Sequence, residues 1–180
     1  MYFTPSEDEN RSYAASCLAG IAVTQREIGS PDAAAITMGR ALETARAVAS
    51  DDYRSRALRA ISVAQSRVGD FAGARQTLDE IVLENHRWLA QGEIAAIQAR
   101  AGFGLEAVRT AEAALIQRGK LFEELAQVFS EIGDRESLKR LLQPCSHEPG
   151  SAYRLCILLA KLYPEQLTAL TEAVARAQSS

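Results

Sequence analysis

The stretch Arg67-Val68-Gly69-Asp70 decides how this chain is read, because it comes back. It returns as Arg100-Ala101-Gly102-Phe103 and Glu131-Ile132-Gly133-Asp134, and it occurs earlier as Glu27-Ile28-Gly29-Ser30. The four glycines are separated by 40, 33 and 31 residues, and a degenerate fifth copy lies at Lys161-Leu162-Tyr163-Pro164. Positions counted from this mark agree across the copies. Eight before it stand Ile21, Ile61, Ile94, Leu125 and Leu155, all large aliphatics; seven before stand Ala22, Ser62, Ala95, Ala126 and Cys156, all small. One before are Ile28, Val68, Ala101, Ile132 and Leu162; five after are Ala34, Ala74, Ala107, Leu138 and Thr168. Agreement at several columns identifies an internal repeat, which is sought before any other feature because missing it misreads the whole fold.

Each unit reads as helix, turn, helix. Offsets of eight, four and one before the mark fall on one helical face, and a second apolar stripe starts five residues beyond it. Glycine supplies the left-handed residue that ends the first helix. Ser30, Asp70 and Asp134 then stand where they can cap the next one, and Pro31 and Pro164 suit a first helical position. The small residue seven before the mark lets a neighbouring helix come close. Ten helices are predicted, over about 11–28, 32–49, 53–68, 71–84, 86–101, 104–117, 119–132, 135–142, 151–163 and 165–178. No segment alternates as a strand does. The repeats run 11–50, 51–85, 86–118, 119–150 and 151–178, behind an N-terminal arm, 1–10, expected to be flexible.

Composition agrees with an all-α chain: 32 of 180 residues are alanine, and only five are proline. The formal charge of −3 is evenly spread, which argues against a nucleic-acid partner, since duplex binding rests on a basic face. Cys17, Cys145 and Cys156 are odd in number and too few for a disulfide framework. Cys17 and Cys156 fall in apolar helical patterns and are expected as small buried hydrophobes. A reducing, cytoplasmic setting fits. The longest uncharged run, 12–25, is too short to span a bilayer and follows acidic residues, so neither a membrane span nor a secretory leader is expected.

The order of large aliphatic, small residue, Gly-Asp and Ala-x-x-x-large resembles the tetratricopeptide repeat over about residues 11–178. Repeat two is the closest match, with Leu58, Ile61, Ser62, Gly69, Asp70, Phe71, Ala74 and Leu78 in family columns. The chain departs from the family at its tyrosine column, which holds Gln25, Gln65, Gln98, Phe129 and Leu159. It also lacks the closing proline, replaced by Arg46, His86, Gly119 and Gly150. The resemblance implies a right-handed α-α superhelix of about five antiparallel helix pairs with irregular curvature. It also implies a concave face, lined by the first helices, that grips a protein or peptide.

Carried over position by position, that face comprises Val23, Ala19 and Arg26; Val63, Arg59 and Ser66; Ala96, Gly92 and Ala99; Gln127, Glu123 and Ser130; and Ile157, Tyr153 and Ala160. Arg56, Arg67 and Arg100 flank it. Arginines beside aliphatics suit an acidic-hydrophobic segment, because a guanidinium pairs with a carboxylate through a bidentate fork. The competing reading takes Arg54, Arg56, Arg59 and Arg67 as a solvated charge row beside Asp51, Asp52 and Asp70. A chaperone-tail clamp is excluded, since the only asparagines, Asn10 and Asn85, lie off the inferred face.

The expected function is therefore a non-enzymatic scaffold for another protein or peptide, with no cofactor and no membrane role. A secretion-type chaperone for a hydrophobic substrate is one concrete version. An RNA-binding helical repeat and an accessory subunit of an enzyme are weaker alternatives. Cys145-x-His147-Glu148 is the one cluster with metal-ligand residue types, but it lacks the four ligands of a structural zinc and the oriented base of a cysteine nucleophile. Trp88 is expected in the packing between repeats two and three, and Tyr13 and Tyr53, at one offset, in structural roles.

Overall fold

The computed structural model describes residues 6–115 and 119–142. The expected helices over 151–163 and 165–178 lie outside the described residues, as do Tyr153, Ile157 and the Cys145–His147 cluster. Within them the chain is all-α, with eight helices and no strand: α1 (Glu7–Glu27), α2 (Pro31–Arg46), α3 (Asp51–Arg67), α4 (Phe71–Asp79), α5 (Glu84–Arg100), α6 (Gly104–Leu115), α7 (Gly119–Glu131) and α8 (Arg135–Leu142). Each odd helix packs on the even helix that follows and on the next odd helix, giving contacts α1–α2, α1–α3, α3–α4, α3–α5, α5–α6, α5–α7 and α7–α8. That packing is consistent with a helical repeat.

The glycine marks do what their spacing requires. Gly29, Gly69, Gly102 and Gly133 have φ of 82, 87, 86 and 73°, the left-handed region that side chains resist. At each, the residue after the glycine reaches back five residues: Ser30 N–H donates to Gln25 O at 2.8 Å, Asp70 to Gln65 O, Phe103 to Gln98 O and Asp134 to Phe129 O, the last three at 2.9 Å. This is the Schellman closure, and its fourfold recurrence makes every turn between paired helices among the described residues the same. Asp70 and Asp134 then cap the next helix, accepting from Gly73 N–H at 2.9 Å and Ser137 N–H at 3.0 Å. Ser30 makes no such bond; there Pro31, which has no N–H to satisfy, opens α2.

The small column is wholly enclosed: Ala22, Ser62, Ala95 and Ala126 are all buried. Helix α3, packed against α1, α2, α4 and α5, buries Leu58, Ile61 and every residue from Ile61 to Ser66. The first interval exceeds the second by seven residues, and α2, at 16 residues, exceeds α4, at 9, by the same two turns. The insertion is thus helical, and Arg46 near its end forms an ion pair with Glu80 beyond α4 at 2.6 Å.

Two sequence expectations need correction, and one repeat column behaves unevenly. Residues 7–10 belong to α1 and not to a flexible arm, because Ser6 Oγ accepts from Glu9 N–H at 3.1 Å and an acidic first turn favours the helix start. Asp8 moreover accepts from the N–H groups of Ala49 and Ser50, tying α1 to the loop that begins repeat two. Cys17 is exposed, since it lies across the helix from the buried stripe Ser12, Ala15, Ala19 and Ala22. Ile21 is 50 % exposed although Ile61, Ile94 and Leu125 in its column are 0, 2 and 0 % exposed.

Candidate functional site

A groove of about 590 Å³ runs between α1 and α3, with one residue of α5 at its edge. Its apolar lining is Ala19, Val23, Ala60, Val63 and Ala64, with Gly20 leaving room beside them. Arg56, Arg59, Arg67, Glu27 and Glu93 supply its charges. Four of the residues placed on the concave face by their offset, Ala19, Val23, Arg59 and Val63, therefore meet here, together with the flanking Arg56 and Arg67. The reason is geometric. The two odd helices turn the same columns to the same side, so residues ten and six before each mark line one trough.

The remaining expected positions are not brought into this groove. Arg26, Arg100 and Gln127 are exposed on their helices outside it, and Gln127 donates to Glu131 at 2.9 Å. Ala96 packs against the second hydrophobic cluster, around Leu125 and Phe129. The column three before the mark was expected to face a ligand, but Ser66 and Ala99 are buried, and the Ser66 hydroxyl donates to Ser62 O. Helical rotation turns that column into the stack in repeats two and three, whereas Arg26 of repeat one is exposed and Ser130 of repeat four partly buried.

The charges are more mixed than a basic groove. Arg59 forms an ion pair with Glu93 of α5 at 2.5 Å. Arg56 lies over the Tyr13 ring, 5.7 Å from its centroid, as a cation over a π face. Arg67 is exposed and has no ion-pair partner among the described residues. Arg54 lies outside the groove: it pairs with Asp51, as the charge-row reading expects, and also donates to Val48 O at 3.0 Å, as Arg87 at the equivalent place donates to Ile81 O at 3.1 Å. Both arginines close the loop that enters a first helix. Their shared offset, fifteen before the mark, carried that signal in the sequence.

A second recurrence went unseen in the sequence reading. The Thr77 hydroxyl donates to Gln65 Oε1 at 2.7 Å, and Thr110 donates to Gln98 Oε1 at 2.8 Å. These threonines stand eight after the mark, so each pair joins the two helices of one repeat. Repeat four replaces the pair by Phe129 and Leu141, both buried. In repeats two and three the glutamine of this column is thus matched by a threonine on the facing helix.

A second cleft, of about 510 Å³, opens between α4, α5 and α6, over Phe71, Leu78 and Ile94. No cluster of three potential metal ligands occurs among the described residues. None of the described helices is long and apolar enough to cross a membrane. Trp88 is partly buried at the start of α5, and Tyr53 is partly buried whereas Tyr13 is exposed. Comparison of the chain with protein-family models, with curated proteins and with solved structures gives no match.

Proposed function

We propose that this chain is a non-enzymatic, cytoplasmic binding scaffold, a divergent tetratricopeptide-like superhelix that holds a segment of another protein in the groove between α1 and α3. The observation that carries the reading is the make-up of that groove: an apolar floor of Ala19, Val23 and Val63 with Arg67 exposed at its edge and unpaired among the described residues. A segment with apolar anchors and a nearby carboxylate complements it, because the guanidinium can pair with the carboxylate while the anchors leave water. The four matched turns and the odd-to-odd helix packing support the repeat assignment behind it. Arg59, already neutralised by Glu93, then shapes the groove wall and does not recruit charge.

The test is co-purification of the chain from its native host, identification of bound proteins by mass spectrometry, and remeasurement with purified components. Arg67→Glu is expected to weaken that binding at least about tenfold. Unchanged affinity removes Arg67 and the acidic-segment reading.

A further inference from the structure

Along its outer side α1 carries Asn10, Ala14, Cys17, Ile21 and Thr24, followed by Ile28 at its C-cap. All six are exposed. Their spacing is 4-3-4-3-4, the 3.5-residue period of a seam between two packed helices, and none of them is charged. A surface helix that meets only water has no reason to keep two isoleucines on such a seam.

The repeat columns show what this face meets elsewhere in the same chain. Ile61, Ile94 and Leu125 share the column of Ile21; Ala57 and Ala90 share that of Cys17; Ala64, Ile97 and Val128 share that of Thr24. All of these are buried except Ile97, which is partly buried, whereas Ala101 and Ile132 in the column of Ile28 stay exposed. Repeat one already possesses its own second helix, α2, and a following repeat, α3–α4, yet its copies of these positions stay exposed. In repeats two to four the cover therefore comes from the preceding helix pair. Repeat one has no such cover among the described residues. Residues 1–5, fully extended, span at most about 18 Å, whereas Ile21 lies about 22 Å along the helix axis from Ser6. They do not reach the C-terminal half of the seam.

We propose that a second copy of this chain supplies the cover, α1 packing on α1 in antiparallel fashion about a two-fold axis near the midpoint of Cys17 and Ile21. The spacing reads the same in both directions, so two identical helices run in opposite senses bring every seam residue to another. Cys17 then faces Ile21 of the second copy, and Ala14 faces Thr24, small against larger. An uncharged seam pairs with itself without repulsion, and the two-fold arrangement closes at a dimer. The floor of the α1–α3 groove, Ala19 and Val23, lies on the other side of α1, and the two surfaces meet only at Thr24, which lines the groove's edge.

Sedimentation equilibrium of the full chain, in reductant and at about 5 and about 200 µM, tests this by mass action. The expected result is a concentration-dependent dimer for the wild type and for Ile36→Asp, an exposed control on α2, with a monomer for Ile21→Asp. The Ile21→Asp dissociation constant should rise at least about tenfold. Helix content by circular dichroism confirms folding; if Ile21→Asp loses it, Ile28→Asp, where the side chain is 72 % exposed, takes its place with the same expected result. A wild type that is monomeric at both concentrations overturns the proposal. So does a dimer indifferent to the seam substitution, or an open series of larger assemblies.

Discussion

The Thr77 hydroxyl donates to the side-chain carbonyl of Gln65 at 2.7 Å, inside the repeat and away from water. The bond spans twelve residues and joins α3 to α4, and its counterpart, Thr110 to Gln98, joins α5 to α6 in the same way. Gln25 and Thr37 occupy the same two columns in repeat one, where Gln25 Oε1 is buried without a hydrogen-bond partner. A paired polar couple thus takes the place that Phe129 and Leu141 fill with apolar contact in repeat four. Repeats two and three use the first solution and repeat four the second, while repeat one carries the same two residue types without the bond.

Thr77→Val should consequently destabilise the chain by about 1–3 kcal/mol, the cost of leaving the Gln65 carbonyl buried and unmet. The double replacement Gln65→Leu with Thr77→Val should recover a large part of that loss, since it removes both polar partners. Urea denaturation of the wild type, both single variants and the double variant measures the coupling. Additive effects would show that the two side chains act independently.

Gly69 holds a φ of 87°, so Gly69→Ala should cost about 1 kcal/mol or more. Gly39 lies within α2, and a Cβ there meets nothing within 4 Å. Gly39→Ala should stabilise by about 0.5–1 kcal/mol through helix propensity. Opposite signs from one chemical change, read by thermal unfolding, separate a turn glycine from a helical one.

How much of this was legible in the sequence depends on whether one column or two helices had to be read. The glycine turns and the small column were, because each follows from one position repeated. The early start of α1 was also written there, as Ser6-x-x-Glu9, the pattern of a capping box. The Arg59–Glu93 pair was not, since it depends on how α3 and α5 are rotated against each other. The fate of Ile21 was hidden for a different reason. Its column says large and apolar, but only the packing tells whether anything covers it.

That difference is measurable. Ile61→Ala should cost about 2–5 kcal/mol, as for a large aliphatic side chain removed from a full core. Ile21→Ala should cost less than about 1 kcal/mol in dilute solution, where the outer side of α1 meets water. Equal losses in urea denaturation at low protein concentration would mean that the two sites share one environment.

Acid should weaken the link between α2 and α4. The Arg46 guanidinium hydrogen bond holds the Glu80 carboxyl below its ordinary value of 4.5, and Glu80 raises Arg46 in turn. A carboxylate with a depressed folded pKa stabilises the fold above its unfolded pKa, and that contribution fades as pH falls through the folded value. Both side chains are partly solvated, so the effect should stay under about 1 kcal/mol. Comparing Tm at pH 7 and pH 3 for the wild type and Glu80→Gln tests it: the variant should lose slightly less stability on acidification, and an identical loss removes the pair from the account.

The groove itself is tested most directly by placing a photo-crosslinking phenylalanine analogue at Val23, on the groove floor, and separately at Ile36, exposed on α2, in the native host. The binding reading predicts one discrete protein adduct from position 23, none of that mass from position 36, and loss of the adduct when Arg67→Glu is added. No adduct from position 23, or the same adduct from both positions, would contradict it.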